Sequence, residues 1–92
     1  MDKLPDKILK DFLVGIPQSK HSLSMITVYR HPDDYKDKYV ARLYIVEKGV
    51  TKCTTAIVLA DTLDEIRTKI PSHLFRMPRS ENDLESVVES YL

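Results

Sequence analysis

The sequence predicts a single α+β domain: an antiparallel sheet of about four strands with one covering helix and an additional N-terminal amphipathic helix (α-β-β-β-α-β). Three observations predict it. Two alternating runs flank Lys48-Gly49, a capped helical pattern follows them, and the first sixteen residues show helical spacing. We assign residues 1–24 to the N-terminal helix and linker and residues 25–92 to the α+β body, within one domain of 1–92. A chain this short buries only about 60–65% of its unfolded surface, which suits one sheet with one or two helices.

Residues 5–16 predict the N-terminal helix, and residues 18–24 a polar linker. The apolar positions recur every three or four residues: Leu4, Ile8, Leu9, Phe12, Leu13 and Ile16. Pro5 suits the first helical turn, and Gly15 and Pro17 mark its end. Because an isolated helix of this length is marginal in water, its apolar stripe needs a cover. We expect it to pack on the sheet face opposite the helix predicted at residues 62–70. The alternative is docking on another protein or self-association, through Ile8, Phe12 and Leu13.

Residues 25–30 predict the first strand, with Ile26 and Val28 on one face. A charged turn follows at residues 31–38. It contains three carboxylates that could hold a hard cation: Asp33, Asp34 and Asp37. The turn lacks the glycine and terminal glutamate of a calcium loop, and aspartate is common in turns, so a solvated turn is favoured.

Residues 40–46 and 52–58 predict an antiparallel hairpin. Both runs alternate as strands do, and Gly49 between them tolerates the positive φ of a tight turn. Residues 56–60 are apolar on both faces, which indicates a central strand covered on both sides. The hairpin therefore forms the centre of the predicted sheet.

Residues 62–70 predict a helix that covers one face of the sheet. Thr62 as the N-cap and Glu65 three residues later form a capping box, and Pro71 stops the helix. Strand alternation and helical spacing together predict six residues that are buried in one core: Leu43, Ile45, Ile57, Leu59, Leu63 and Ile66.

The C-terminal residues 84–92 fit two structures. A helix would align four apolar residues: Leu84, Val87, Val88 and Tyr91. A strand would alternate two sets of three, with Val87, Glu89 and Tyr91 on one face and Val88, Ser90 and Leu92 on the other. Periodicity alone favours the helix slightly.

Three segments carry a family resemblance: residues 29–35 (YRHPDDY) with 38–43, residues 60–67 (ADTLDEIR) with 70–71, and residues 76–80 (RMPRS). Together they resemble a family of small uncharacterised proteins of Gram-positive bacteria and their mobile elements. The resemblance covers residues 25–92 and leaves the N-terminal helix as an addition. It implies a β-rich C-terminal segment, so we expect a strand there. It implies no catalytic residues.

Composition limits the function. Lysine and arginine total 14, as do aspartate and glutamate, so the net charge is zero. A domain-wide attraction to nucleic acid or anionic membrane is therefore not expected. Cys53 is the single cysteine, which suits a reducing compartment, and the chain has no long apolar run and no signal-peptide pattern at its start. We expect a cytoplasmic protein with no membrane partner.

Catalytic and metal chemistry lack a recognisable motif. The three histidines, His21, His31 and His73, are far apart, and zinc sites normally use closely spaced ligand pairs. Cys53 shares a strand face with Ile57, so a buried, inert thiol is expected rather than a nucleophile. We expect no metal, no cofactor and no enzymatic activity.

The one candidate binding surface is the mixed sheet face that carries Arg42 and Tyr44, with Arg30, Arg76 and Arg79 near its border. Basic and aromatic side chains on an open sheet suit a protein or nucleic-acid partner. An ordinary solvated face explains the same residues and is favoured by the zero net charge. The leading function is a non-catalytic protein-interaction or accessory protein. The alternative is a nucleic-acid-binding module that uses the same face.

Overall fold

The structure is a computed structural model that describes residues 7–13, 22–81 and 85–92. Its elements in chain order are β1 Lys7–Leu9, β2 Ser22–Arg30, β3 Tyr39–Glu47, β4 Val50–Ala60, α1 Leu63–Thr68, β5 Arg76–Pro78 and β6 Val87–Tyr91. The strands form one mixed sheet in the order β1-β4-β3-β2-β6-β5, in which β1 is parallel to β4 and every other pair is antiparallel. The α+β class is confirmed. The four-stranded, wholly antiparallel sheet is wrong.

The N-terminal helix predicted for residues 5–16 is wrong over the part that the structure describes. Lys7–Leu9 is a strand, paired in parallel with residues 56–58 of β4. A short apolar run such as Ile8-Leu9 fits either structure, and here its backbone is satisfied by the sheet ladder. The predicted linker is also shortened, because β2 begins at Ser22.

Phe12 enters the core from a loop. Its backbone N–H donates to the carbonyl of Lys69 at 2.9 Å, and only 3% of the residue is exposed. Ile8 and Leu13 are 58% and 55% exposed. Of the three residues considered for self-association, Phe12 is therefore committed to the interior of its own chain.

The predicted hairpin is confirmed. β3 pairs antiparallel with β4 through a two-residue turn formed by Lys48 and Gly49. Both residues have positive φ, 50° and 78°, which is the backbone of the hairpin turn that matches the twist of the flanking strands. The strand predicted from Met25 is also confirmed and extends back to Ser22.

A β-bulge in β4 changes the pairing that simple alternation predicts. Arg42 lies opposite Ile57 and Tyr44 lies opposite Cys53, so three residues of β4 face Leu43 alone. The bulge adds two residues, an even number, so it changes which residues lie opposite each other and leaves each side chain on the face that alternation gives it. Ile57 lies on the face of Arg42 and not on the face of Leu43, because the two-residue turn already aligns Cys53 with Tyr44.

Side-chain hydrogen bonds hold the bulge. The Thr54 hydroxyl donates to the Leu43 carbonyl at 2.7 Å and accepts from the Ala56 N–H at 3.2 Å.

The consecutive strands β2, β3 and β4 form a meander, which we divide into two halves. We call residues 57–60 of β4, with the parts of β2 and β3 beside them, the inner half of the meander. Residues 50–53, with their neighbours on β2 and β3, are the outer half.

The core lies between the inner half and α1. It contains ten buried residues: Phe12, Ile26, Val28, Ala41, Leu43, Val58, Ala60, Ile66, Ile70 and Tyr91. The core prediction is right for Leu43 and Ile66. Ile57 is fully buried on the opposite face, so the prediction that it packs with them is wrong. Ile45, Leu59 and Leu63 are half-buried.

The helix is capped as predicted. The Thr62 hydroxyl accepts the backbone N–H of Glu65 at 3.1 Å, and Asp64 and Glu65 lie in the positive first turn. The helix ends at Thr68, two residues before the predicted end. A helix of six residues is not stable in isolation, so α1 depends on its tertiary contacts. The burial of Ile66 and the ion pair between α1 and β6 stabilise it.

An ion pair joins α1 to β6. Arg67 Nε and Nη2 donate to the two carboxylate oxygens of Glu89 at 3.0 and 2.8 Å, and the Tyr91 hydroxyl also donates to Glu89. Burial opposes the charge of Glu89, but the hydrogen bonds from Arg67 and Tyr91 outweigh it and hold its pKa below the ordinary value. Burial and the bond to Glu89 raise the pKa of Tyr91 to about 12.

The C-terminal strand is confirmed at Val87–Tyr91, where it fills the space between β2 and β5. Leu84 lies outside the described residues. Phe75 and Leu92 exchange backbone hydrogen bonds at 2.8 and 3.0 Å, which extends the β5–β6 ladder by one pair. In the part of the chain that the structure describes, no helix has the length and apolar character needed to cross a membrane.

Candidate functional site

The candidate site is the sheet face opposite α1, which we call the open face. Across it Met25 pairs with Tyr44, which pairs with Cys53, and Met77 pairs with Ser90. Continuing the register of β2 with β6 by one residue places Leu92 beside Met25. The outer part of this face consists of Leu23, Met25, Tyr44, Val46, Thr51, Phe75, Met77 and Leu92. Within the described residues, neither a helix nor a second sheet packs on it.

The loop between β2 and β3 lies against the inner part of the open face. Pro32, Asp33 and Asp34 of this loop line a groove of about 370 Å³ together with Val40 and Arg42. The loop is closed by a hydrogen bond from the His31 N–H to the Lys38 carbonyl at 2.9 Å. The inner part is therefore partly covered.

A second groove of about 560 Å³ crosses the outer part of the open face. Its lining combines apolar and hydroxyl side chains and, among the described residues, no charged one: Met25, Thr27, Tyr29, Tyr44, Thr51, Met77, Pro78, Ser80, Val87 and Ser90. Its volume lies in the range of ligand pockets. The uncharged lining suits a neutral, apolar occupant.

Tyr29 and Tyr44 stand between the two grooves and line both. Their hydroxyl oxygens are 2.5 Å apart, so one hydroxyl donates to the other across the strands. Burial, and then the hydrogen bond to Tyr29, raises the pKa of Tyr44 well above its ordinary value. The two rings together offer flat, amphipathic surface to a partner.

Arg42 lies on the open face as predicted, but its guanidinium is engaged within the chain. Nη1 donates to the Thr54 carbonyl at 3.3 Å, and Nη2 lies 3.9 Å from a carboxylate oxygen of Asp34. The residue is 9% exposed. Arg42 thus links the bulge of β4 to the β2–β3 loop, and it presents little charge to solvent.

The other predicted arginines are placed differently. Strand register puts Arg30 in line with Ile26 and Val28, and Arg76 opposite Tyr91, so both lie on the α1 side of the sheet. Arg79 follows β5 and is exposed. The structure therefore brings Arg42 and Tyr44 together on one face, whereas Arg30 and Arg76 lie on the other.

Charge separates between the two faces of the sheet. Among the described strand positions, six charged residues lie on the α1 side: Lys7, Arg30, Glu47, Lys52, Arg76 and Glu89. Among the same described strand positions, Arg42 is the one charged residue on the open face. The open face is thus nearly neutral although much of it is exposed.

Sequence reasoning missed the exposed apolar residues of the open face. Leu23 is 66% exposed, Phe75 73% and Leu92 42%. Leu23 alternates with Met25, a signal that a longer first strand would have revealed. Phe75 had no local signal, because the β5–β6 pairing alone brings it here.

The described side chains that could bind a metal ion do not cluster into a metal site. In the described ranges, no three histidine, cysteine, aspartate or glutamate side chains form a set that could hold a metal ion. His21 lies outside those ranges. Cys53 is exposed, so the prediction of a buried thiol is wrong. It lies in the outer half, where no layer formed by the described residues covers β4.

Comparison with protein-family models, curated proteins and solved structures finds no match. The resemblance to small proteins of Gram-positive bacteria and their mobile elements stays a prediction. Function is therefore argued from the open face itself.

Proposed function

We propose that this chain is a small, non-catalytic, cytoplasmic protein-interaction module whose open face binds an apolar protein surface. The observation that carries the proposal is the exposure of Leu23, Phe75 and Leu92 beside a neutral groove. Contiguous exposed apolar side chains rimmed by polar ones are typical of interaction sites. The aromatic and methionine content of the face matches the composition of protein interfaces.

The charge distribution favours a protein partner over nucleic acid. A nucleic-acid site requires several free cations along the phosphate backbone. Arg42 is largely buried and bonded to Thr54, and Arg30 and Arg76 lie on the other face. An aromatic pair without surrounding positive charge fits an apolar partner better.

The state of the tyrosines favours binding over catalysis. A catalytic hydroxyl is normally activated by a neighbouring base or by a lowered pKa. Tyr44 has a raised pKa, and its hydroxyl is hydrogen-bonded to that of Tyr29. The pair therefore serves as a contact surface.

The test compares matched lysine substitutions on the two faces. Leu23→Lys lies on the open face, and Val50→Lys lies at the same end of the sheet on the α1 side; the two native residues are 66% and 56% exposed. Each immobilised variant is incubated with a nuclease-treated cell extract. We expect wild type and Val50→Lys to retain the same proteins and Leu23→Lys to lose them. Equal retention by all three would contradict the proposal.

A salt series with labelled single-stranded and double-stranded DNA and RNA separates the alternative. Nucleic-acid binding through this face would weaken steeply with salt. It would also fall when Arg42 is replaced. We expect no shift of the labelled nucleic acids by the wild-type protein. A salt-dependent shift lost in Arg42→Met would replace the proposed function by the nucleic-acid alternative.

A further inference from the structure

We propose that the partner of the open face is a second copy of this chain, and that two copies pack sheet on sheet through the outer parts of their open faces. The inference rests on the proposed function, because it names the protein that the same face binds. Two sheets that pack in this way interdigitate their inner side chains about 10 Å apart. The small, neutral outer part of this face suits that arrangement.

The charge pattern allows the face to pack on its own copy without repulsion. A two-fold interface brings the same patch of both copies together, so a patch with charges of one sign would repel its copy. The outer part contains no charged side chain among the described residues, and Arg42 at its inner boundary is 9% exposed. The other charged residues of the described strands lie on the α1 side, where they keep the outside of such a pair polar.

Shape adds a protrusion and a matching hollow on the same face. Phe75 is 73% exposed at the β5 side, and the groove of about 560 Å³ lies between β5 and β3. A two-fold axis can place Phe75 of each copy in the groove of the other, which has room for an aromatic ring. Met25 and Met77 line the groove, and their flexible side chains adapt to an inserted ring.

The area fits a weak, reversible dimer. Five strands about 4.8 Å apart, most of them with about three residues in the outer part, give a flat footprint of roughly 300 Å² per copy. Side-chain relief raises the area buried by a pair to about 800 Å², the size of a weak, transient interface. A dissociation constant in the micromolar range is expected at this size.

The experiment is sedimentation equilibrium of the purified full chain from about 1 to 500 µM, a range that brackets a micromolar constant. We expect the wild-type mass to rise from one chain to two. Phe75→Lys and Leu23→Lys should each weaken the dimer at least ten-fold, whereas Val50→Lys should change it less than two-fold. Circular dichroism checks that each variant is folded, which the exposure of all three residues favours.

Amide signals followed by NMR on dilution locate the interface. Shifts confined to residues 23–29, 44–46, 75–77 and 90–92 support the proposal, whereas shifts confined to the outer edge of β4 would overturn it. A wild type that stays monomeric throughout would also overturn it, as would equal weakening by Val50→Lys. A monomer that still retains a different protein through Leu23 would end this inference and leave the proposed function standing.

Discussion

The inner and outer halves of the β2–β3–β4 meander are both formed by extended strands, but they differ in what packs against them. In the inner half, Ile57 and Val58 are fully buried, and α1 and the β2–β3 loop lie on its two sides. In the outer half, Thr51, Lys52 and Cys53 are exposed on the same strand. Strand formation follows from the sequence, whereas burial depends on whether another layer reaches that part of the sheet. The outer half is therefore the part available to a partner.

The largest effect is expected from truncating the inner half. Ile57→Ala should lower the free energy of unfolding by about 3 kcal/mol, because it leaves a cavity at a fully buried site. Leu23→Ala in the outer half should change it by less than about 0.5 kcal/mol when the protein is dilute. Urea unfolding followed by circular dichroism measures both. Similar losses at the two sites would remove the distinction between the halves.

The next effect compares a largely buried ion pair with an exposed one. Arg67→Met leaves the carboxylate of Glu89 buried without its main partner and should cost about 2–3 kcal/mol. Lys52→Met removes the exposed pair with Glu47, 3.2 Å apart, and should cost less than about 0.5 kcal/mol. Urea midpoints at pH 7 measure the difference. A larger loss for Lys52→Met would reverse the predicted order.

The same pair predicts the response to acid. The pKa of Glu89 is lower in the folded chain than its ordinary value, so its contribution to stability is present above about pH 4.3 and is lost as the pH falls through the folded pKa. Repeating the urea titrations between pH 7 and pH 3 should show this loss in wild type and a smaller one in Arg67→Met. An identical acid dependence in both proteins would contradict the assignment to Glu89.

A moderate effect is expected at the boundary between the halves. Thr54→Val removes the hydroxyl that bonds the Leu43 carbonyl and the Ala56 N–H, and should cost about 1–2 kcal/mol. Thr51→Val, further out on the same strand, should be neutral within about 0.5 kcal/mol. Hydrogen exchange should show faster exchange of the Ala56 amide in Thr54→Val. Unchanged protection there would mean that the bulge does not need the hydroxyl.

The smallest effect is expected at the turn. Lys48 has a φ of 50°, a region that asparagine tolerates better than lysine. Lys48→Asn gives the Asn-Gly pair preferred in such turns and should raise stability by about 0.5 kcal/mol, a shift of about 2–4 °C in Tm. Lys48→Ala is the control and should show no gain. A loss in Lys48→Asn would contradict this account of the turn.

Local patterns explain which parts of the fold could be predicted. The hairpin depends on alternation and on Gly49, and the helix depends on the Thr62 cap, so neighbouring residues specify both. The N-terminal strand is different, because Ile8 and Leu9 fit a helix or a strand equally well. Pairing with β4, about fifty residues away, decides between them. No periodicity reports such a pairing.

The candidate site could be predicted only in part for a related reason. Arg42 and Tyr44 lie two apart on one strand, so alternation correctly placed them on one face. Phe75 and Leu92 reach that face through the β5–β6 ladder. These placements depend on pairing between distant segments. The apolar character of the open face was therefore not visible in the sequence.

The sheet order also sets a time course for assembly. The meander strands follow one another with short connections, whereas the Thr27 and Ser90 hydroxyls, 3.2 Å apart, are separated by 63 positions. Closing so long a loop costs more entropy than closing a hairpin, so the meander is expected to form first and β6 to insert late. Until β6 arrives, the full length of β2 is an open edge that a neighbouring molecule can occupy. During that interval, the speed of C-terminal docking decides between the native chain and a misassembled one.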